Sequence, residues 1–232
     1  MCYIIFSDIH GNGQAFDRFL SEIKLIDFDQ LIFLGDFIGY YYNADAIIRY
    51  CRENNVYCIL GNHDDYFLKM IDGEMDEVEL VEKYGNSYRI SKESVSSASI
   101  LFLRSLPHFA IINDEFSNIY LCHGSPLNYL EGRIYPNTDL TNFLSATIGY
   151  DYIVCGHTHH KMARIFGDTI FLNPGSLGQQ RDGRGCSYLI LDTEKKNYTF
   201  HVVSYDISEL EVNIDFHDPG NSKIKSVLRR VP

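Results

Sequence analysis

The chain has 232 residues, of which 45% are hydrophobic and 22% charged, the composition of an ordinary globular protein rather than of a disordered segment. This length suffices for one α/β domain with a full hydrophobic core. The 31 acidic and 20 basic residues give a formal net charge of −11, which repels polyanions. We therefore expect no long nucleic acid as a partner.

The first half of the chain alternates short apolar runs with helical patterns. Residues 2–6, 31–34 and 56–60 are apolar runs typical of buried strands. Between them, apolar residues repeat at helical spacing over 16–26 and 44–51. This alternation of strands and helices predicts parallel strands joined by helical crossovers.

The second half is richer in strand-like runs. We predict strands over 109–112, 119–122, 152–155, 163–166, 169–172, 187–191 and 198–203. The pair Gly167-Asp168 and the polar run 193–197 are typical of hairpin turns. Together the two halves predict one α/β domain over 1–232, with two packed sheets and helices outside them. Its core would span about 1–204, and 205–232 would dock on that core as a tail.

An acidic segment at 72–82 has two interpretations. It carries six acidic residues, and Met75, Val78 and Val81 repeat at helical spacing. This pattern is typical of a solvated outer helix. The alternative is a lid over a functional site.

The end of the chain also has two interpretations. Ile224, Val227, Leu228 and Val231 lie on one face of a predicted helix, with basic residues elsewhere. The apolar face favours docking on the core over binding to a membrane surface.

The cysteines and the N-terminus indicate a cytoplasmic protein. The six cysteines show no C-x-x-C spacing, and most lie in apolar runs, where a thiol behaves as a small buried hydrophobe. The N-terminus enters a strand-like run without a basic leader, and no apolar stretch reaches the length of a membrane span. We therefore expect no membrane association.

Five short polar motifs share one position, since each follows an apolar strand-like run where a loop begins. They are Asp8-Ile9-His10, Gly35-Asp36, Gly61-Asn62-His63-Asp64, His123-Gly124 and Gly156-His157-Thr158-His159. The carboxyl ends of strands in open α/β sheets bind ligands because the loops there converge on one crevice. The five motifs are therefore predicted to form one site.

The residue types in these motifs indicate a metal centre. Seven side chains offer two carboxylates, one amide oxygen and four imidazoles: Asp8, Asp36, Asn62, His10, His123, His157 and His159. Asp8 with His10, and His157 with His159, are spaced so that both side chains project the same way in extended backbone. The set exceeds what a single tetrahedral ion needs and suits two ions that share Asp36 as a bridge.

A structural role is the usual explanation of one such residue taken alone. A single Asp-x-His sequence is common, and a lone buried histidine is more often a satisfied core residue. Five of the nine histidines nevertheless fall in these motifs at strand ends, which makes coincidence improbable. The expected cofactors are two divalent transition-metal ions, for which Mn, Fe, Zn, Co and Ni all suit the ligand types.

The ordered set D-x-H, GD, GNHD, HG and GHTH resembles the calcineurin-like metallophosphoesterase superfamily over roughly residues 1–192. Asn173-Pro-Gly-Ser176 followed by Arg181-Asp182-Gly183 is similar to its bacterial and archaeal phosphodiesterase branch. The resemblance implies a sandwich of two mixed β-sheets flanked by helices. It also implies two metal sites that share Asp36. The first comprises Asp8, His10, Asp36 and His159, and the second comprises Asp36, Asn62, His123 and His157.

The resemblance implies phosphoester hydrolysis by a hydroxide held between the two ions. His63 would lie near the leaving group, rather than on a metal, and stabilise or protonate the departing oxygen. Asn12 and Arg181 are candidates for binding the phosphate oxygens that do not react.

One departure from the family pattern bears on the substrate. Ser/Thr protein phosphatases of the superfamily have GDxxDRG, whereas Gly39 and Tyr40 stand here at the Asp-Arg positions. The chain thus lacks the carboxylate that pairs with the catalytic histidine and the arginine that clamps phosphate. This argues against protein phosphatase and diadenosine tetraphosphatase activities. Asp64 is a candidate replacement for the missing carboxylate.

A small phosphodiester is the expected substrate, with phosphomonoesterase or protein phosphatase-like activity as the alternative. Tyr40, Tyr41 and Tyr42 follow the Asp36 motif, so they would favour a nucleotide if they stack on a base at the rim of the site. Alternatively, they pack at the start of the next helix. A third hypothesis is a non-catalytic protein-binding scaffold, which the complete set of ligands and His63 disfavours.

Overall fold

A computed structural model describes residues 1–183 and 185–229, and its strands form two sheets. The strands of the first sheet are β1 (Cys2–Phe6), β2 (Gln30–Phe33), β3 (Tyr57–Cys58), β9 (Cys186–Asp192) and β10 (Asn197–Val203). Those of the second sheet are β4 (Phe109–Asn113), β5 (Asn118–Cys122), β6 (Tyr152–Val154), β7 (Lys161–Phe166) and β8 (Thr169–Pro174). The strand orders are β10-β9-β1-β2-β3 and β4-β5-β6-β8-β7.

Both sheets are mixed, as expected. Strands β1, β2 and β3 pair in parallel, which confirms the crossovers predicted for the first half. In the second sheet β5, β6 and β8 are parallel, and β4 and β7 pair antiparallel at the edges. The hairpins β7–β8 and β9–β10 turn at the two predicted positions.

The third strand is shorter than predicted because the chain leaves the sheet early. The N–H of Ile59 still donates to the carbonyl of Phe33, but the N–H of Leu60 donates to Pro107. The loop that carries Asn62 and His63 therefore begins at the end of a short strand.

The core has an inner layer between the sheets and outer layers beneath the helices. Ile5 and Ile32 of the first sheet face Leu121 and Val154 of the second. On the other face of β1, Ile4 and its neighbours pack against the helices. Because both faces of β1 are covered, its residues form a continuous apolar run and do not alternate between apolar and polar.

Helices cover the outer faces. They are α1 (Gly13–Ile23), α2 (Ala44–Glu53), α3 (Asn62–Ile71), α4 (Glu77–Tyr84), α5 (Ser87–Ser94), α6 (Ser97–Ser105), α7 (Ser208–His217), α8 (Ser222–Leu228) and a 3₁₀ helix at Leu140–Ala146. The sequence predicts α1 and α2 but not α5 or α6. Both are short and rich in serine, which weakens any helical repeat of apolar residues.

The acidic segment 72–82 is only partly helical. Helix α4 begins at Glu77, and its buried residues are Leu80 and Tyr84. The predicted apolar face is wrong, since Val78 is 56% exposed. The end of α4 borders the cavity described below, so this outer helix also forms part of a wall of the site.

The tail packs on the loop that follows Asp36. Ile224 of α8 is buried in a cluster with Tyr41, Leu210 and Ile214. Val231, on the same predicted face, lies outside the described residues. Along 1–183 and 185–229 there is no helix of the length and hydrophobicity that crossing a membrane requires.

Candidate metal centre

The motif residues adopt an unusual backbone conformation. Asp8, His10, Asp36, His157 and His159 all have positive φ, between 50° and 67°. The assumption of extended backbone for the two i,i+2 pairs is therefore wrong, although each pair does converge on the site. Left-handed non-glycine residues are uncommon and cluster at functional sites, where the surrounding structure holds them in place.

One group of candidate ligands comes from the loop after β1 and the loop after β6. Nε2 of His10 lies 3.1 Å from Nε2 of His159, and Nε2 of His159 lies 3.2 Å from Oδ1 of Asp8. All three side chains are almost completely buried. Their donor atoms lie within 4.8 Å of one another, close enough to bind one ion.

A second group lies beside the first. Oδ1 of Asn62 lies 3.0 Å from Nε2 of His123 and 2.8 Å from Nδ1 of His157. Nε2 of His123 is 3.3 Å from Oδ2 of Asp36. Donor atoms of Asp36, His123 and His157 also fall within 4.8 Å of one another.

Asp36 lies between the two groups. Its Oδ2 is 3.7 Å from Nε2 of His10 and 3.3 Å from Nε2 of His123, so it can reach an ion on either side. Asp36 also forms a close group with His10 and His63. His63 is not one of the seven predicted ligands, so it lies at the edge of that ligand set.

The backbone orients three of the imidazoles. Nδ1 of His10 donates to the carbonyl of Ile38 at 2.9 Å, and Nδ1 of His123 donates to that of Leu34 at 2.7 Å. Nδ1 of His159 likewise donates to a carbonyl, that of Gln179. Because a carbonyl only accepts, each Nδ1 carries the hydrogen and each Nε2 is left facing the site. Outer hydrogen bonds of this kind are typical of metal-binding histidines.

The remaining imidazole, that of His157, is held differently. Nε2 of His157 accepts a hydrogen bond from Nε of Arg133 at 3.1 Å, which leaves the hydrogen on Nδ1, directed at Asn62. Binding a cation through Nδ1 would move that hydrogen to Nε2 and displace Arg133 from it.

Buried charge makes the site attractive to cations. Burial opposes ionisation of Asp8 and Asp36, but the neighbouring histidines outweigh it and hold the pKa of both carboxyls below the usual range. Burial likewise opposes protonation of His123, yet the Asp36 carboxylate raises the pKa of His123 to about 10. Burial lowers the pKa of His10 to about 4 and that of His157 to about 3. A cation bound at His123 would therefore displace a proton.

Two further observations fit a metal. Oδ1 of Asp8 is buried without a hydrogen-bond partner among the described residues, whereas Oδ2 accepts from the N–H of His157 at 3.0 Å. An unpaired buried carboxylate oxygen is costly unless a cation is bound to it. At Gly61 a Cβ would lie only 2.2 Å from Oδ1 of Asp36, so this close approach of the loop to the carboxylate requires glycine.

His63 is surrounded by aromatic rings at the edge of the ligand set. Its Nδ1 is hydrogen-bonded to the hydroxyl of Tyr88 at 2.7 Å. The sequence singles out no residue at position 88, and no motif marks it. The ring of Tyr84 also lies 4.5 Å from that of His63.

Asp64 accepts from backbone N–H groups instead of pairing with His63, so the prediction that it replaces the missing carboxylate is wrong. Its carboxylate accepts hydrogen bonds from the backbone N–H groups of Asp36, Ile38 and Gly61 at 2.9–3.1 Å. Burial and the nearby Asp36 raise the pKa of Asp64 to about 7. Asp64 thus joins the loops that follow β2 and β3 through their backbone N–H groups.

Asn12 is likewise engaged elsewhere, which corrects its predicted contact with phosphate. Its Oδ1 caps α1 by accepting from the N–H of Ala15, and its Nδ2 donates to Gly178 and to the hydroxyl of Tyr205. The side chain is fully buried. The capping preference of asparagine at a helix start explains this position.

A cavity of about 480 Å³ opens above the ligands and reaches His63. Arg181, the predicted phosphate-binding residue, lines this cavity, and its Nη2 donates to Tyr40 and to Gln179 at 3.0 and 3.1 Å. Arg133, Lys83 and Lys223 also line the cavity, and the sequence does not single them out. They come from separate loops and helices, so only the tertiary fold brings them together.

The three consecutive tyrosines have different roles. Tyr40 lines the cavity, with its ring 4.9 Å from that of His10. Tyr41 is fully buried against the tail, and the hydroxyl of Tyr42 donates to Asp218 at 2.7 Å. The hypothesis that these tyrosines stack on a base at the rim of the site therefore applies to Tyr40 alone. Tyr41 and Tyr42 pack against the C-terminal tail.

The chain is similar to several proteins over most of its length. It is 27% identical to an uncharacterised protein of Methanocaldococcus jannaschii over 224 residues, which cover 88% of each chain. Its fold matches a metallophosphoesterase from Sphaerobacter thermophilus with a TM-score of 0.78 at 23% identity, over 99% of this chain and 98% of that one. A hypothetical protein from Pyrococcus horikoshii gives a TM-score of 0.83 at 19% identity, over 97% of both chains.

The model of one protein family also matches this sequence. Residues 1–196 match the calcineurin-like phosphoesterase superfamily domain, a range that contains all five motifs and every strand of the two sheets except β10. The chain therefore belongs to the calcineurin-like phosphoesterase superfamily.

Proposed function

We propose that this protein hydrolyses small phosphodiesters with the help of two divalent metal ions. The observation that carries the proposal is a pair of neighbouring buried groups beside the cavity, with Oδ2 of Asp36 3.7 Å from His10 of one group and 3.3 Å from His123 of the other. The first ion would be held by Asp8, His10, Asp36 and His159, and the second by Asp36, Asn62, His123 and His157. When bound, such ions lower the pKa of water and neutralise phosphate oxygens.

The protein's own residues would orient the substrate and supply a proton. Arg181 would bind a phosphate oxygen that does not react, since its guanidinium is anchored by Tyr40 and Gln179 at the cavity wall. His63 would donate a proton to the departing oxygen through Nε2, because its Nδ1 is already engaged by Tyr88. The walls formed by α4 and α8 would limit access of water and of large substrates.

The size of the cavity supports a small substrate. A volume of about 480 Å³ lies in the range of small-molecule sites, roughly 300–1,000 Å³. Tyr40, Tyr66 and Tyr84 line the cavity, so aromatic side chains would lie beside a bound aromatic group. A nucleotide-like diester combines these features.

A second candidate function is hydrolysis of phosphomonoesters. Lys83, Arg133, Arg181 and Lys223 surround the cavity of a protein whose net charge is −11. A monoester carries one more negative charge than a diester near neutral pH, and these cations would stabilise it. A comparison of turnover for a phosphodiester and a phosphomonoester decides between these two substrate classes.

Turnover of bis(p-nitrophenyl) phosphate and of p-nitrophenyl phosphate should be compared after loading with Mn²⁺, Zn²⁺, Co²⁺ or Ni²⁺. We expect kcat/KM for the diester to exceed that for the monoester by about tenfold or more, a difference of about 1.4 kcal/mol. EDTA should abolish both activities, and added metal should restore them. Preference for the monoester would favour the second candidate, and absence of turnover with every metal would favour a non-catalytic role.

Replacement of Tyr40 by leucine tests whether the substrate is nucleotide-like. We expect Tyr40→Leu to reduce binding of a dinucleotide by roughly 1–3 kcal/mol, because base–aromatic stacking contributes about that much. A diester with aliphatic substituents, such as glycerophosphoethanolamine, should lose much less. The measurement is kcat/KM for the two substrates in each variant.

Two control variants separate stacking from other roles of Tyr40. Tyr40→Phe keeps the ring and loses only the hydrogen bond from Arg181, so it should keep the preference for the dinucleotide. Tyr42→Leu alters a ring that packs near His217 and should affect both substrates equally. An equal loss for both substrates in Tyr40→Leu would assign Tyr40 to packing.

A further inference from the structure

The hydrogen bond between Tyr88 and His63 is buried and specific. The Tyr88 hydroxyl lies 2.7 Å from Nδ1 of His63, and the exposed fractions of the two residues are 0% and 5%. The same hydroxyl lies 3.4 Å from the carbonyl oxygen of His63, to which it can donate weakly. Nε2 has no hydrogen bond to any residue within 1–183 and 185–229, so it is the ring nitrogen left for a substrate.

Within 1–183 and 185–229, no carboxylate is hydrogen-bonded to the ring of His63. Asp64 directs its carboxylate to backbone N–H groups of the loops after β2 and β3. Asp36 accepts from the backbone N–H of His63 rather than from its ring. Among the described residues, the phenol of Tyr88 is therefore the hydrogen-bonding partner that orients the imidazole.

The residue at position 39 makes room for this arrangement. Gly39 has a φ of +99°, and a Cβ built on it would lie 2.5 Å from Nδ1 of His63. A side chain at position 39 would thus occupy the space beside Nδ1. With glycine there, no side-chain atom fills that space, and the hydroxyl of Tyr88 in helix α5 reaches the nitrogen.

We propose that Tyr88 is a positioning residue that orients His63 for proton transfer to the leaving group, in the place of a carboxylate partner. This inference rests on the proposed function. A neutral phenol can accept from Nδ1–H and donate onward to the carbonyl of His63, which keeps the ring in one orientation. Unlike a carboxylate, it adds no negative charge next to the metal ligands.

Tyr88→Phe tests the proposal, because it removes the hydroxyl and keeps the ring. We expect kcat for a diester with a poor leaving group to fall by about 10–100-fold, a part of the usual general-acid contribution. KM and metal content should not change, and esters of p-nitrophenol should be much less affected. In a His63→Ala background, Tyr88→Phe should cause no further loss, since a residue that acts only through His63 has nothing left to orient.

A matched control and a spectroscopic measurement separate positioning from a general structural role. Tyr188 is also buried, at 2% exposure, and packs against Phe19 away from the site, so Tyr188→Phe should leave kcat unchanged. The ¹⁵N shifts of the His63 ring, recorded before metal is added, should change in Tyr88→Phe and not in Tyr188→Phe.

The outcomes distinguish this inference from the proposed function. Absence of turnover in the parent protein would overturn the proposed function, while the ring ¹⁵N shifts would still test the hydrogen bond. The positioning role would be overturned if the losses in Tyr88→Phe and His63→Ala simply add in the double variant. It would also be overturned if Tyr88→Phe kept the parental kcat for poor leaving groups. If Tyr88→Phe does not fold, the parent spectrum decides, since a His63 ring without a hydrogen-bonded Nδ1 contradicts the proposal.

Discussion

Asp36→Asn should lose both metal ions together and nearly all turnover. Asp36 is the side chain that reaches both ligand groups, with Oδ2 near His10 on one side and near His123 on the other. An amide is nearly the same size but carries no charge, so it cannot neutralise two cations. The loss of activity should exceed the roughly 10–100-fold typical of changes outside the ligand set.

Metal content and thermal stability measure this effect directly. In the parent, metal at 100 times its Kd should stabilise the fold by about 2.7 kcal/mol, which raises Tm by roughly 5–11 °C in a protein of this size. Asp36→Asn should show almost none of this shift. Two equivalents of metal retained by Asp36→Asn would show that Asp36 is not the bridge.

A ligand of one ion provides the matched control. His123 belongs to the second group alone, so His123→Gln should retain about one equivalent of metal in a site that holds two. If Asp36→Asn and His123→Gln lose the same amount of metal, the two sites are not arranged as proposed.

His63→Ala should keep its metal and lose roughly 10²–10⁴ in rate, the usual contribution of a general acid. His63 lies at the edge of the ligand set and is hydrogen-bonded to Tyr88 through Nδ1. Removing it should leave the two ligand groups intact. The loss should shrink for p-nitrophenyl esters, because that leaving group departs without protonation.

Elemental analysis and leaving-group dependence together decide this prediction. Asp36, His10 and His63 also form a close group of possible ligands, so loss of metal in His63→Ala would make His63 a ligand instead. Equal losses for good and poor leaving groups would contradict the acid role. The Tyr88→Phe variant should reproduce the same dependence on leaving group at smaller amplitude.

Tyr88 and Arg181 are the residues proposed for the roles of the missing Asp-Arg pair. Where the protein phosphatase pattern has aspartate and arginine, this chain has Gly39 and Tyr40. Tyr88 reaches the histidine that the aspartate would hold, and Arg181 reaches the hydroxyl of Tyr40. Both come from distant parts of the chain, so this exchange is visible only in three dimensions.

The sequence by itself determined that the strands form two packed sheets, which family the chain belongs to, and that the five motifs lie at one site. A buried strand appears in the sequence as an apolar run bounded by polar loops, so each strand can be predicted from its own composition. Because the motifs stand at the ends of those runs, the convergence of strand ends brings them together.

Only the tertiary structure decided which partner each polar side chain has. Asn12 lies close to the first motif and Asp64 belongs to the third, but both accept hydrogen bonds from backbone N–H groups at helix starts and loop ends, since buried donors must be satisfied. Tyr88 belongs to a short helix without a clear apolar repeat, and it meets His63 only because that helix packs beside α3. Local pattern records burial and backbone preference, whereas hydrogen-bond partners depend on how distant segments pack.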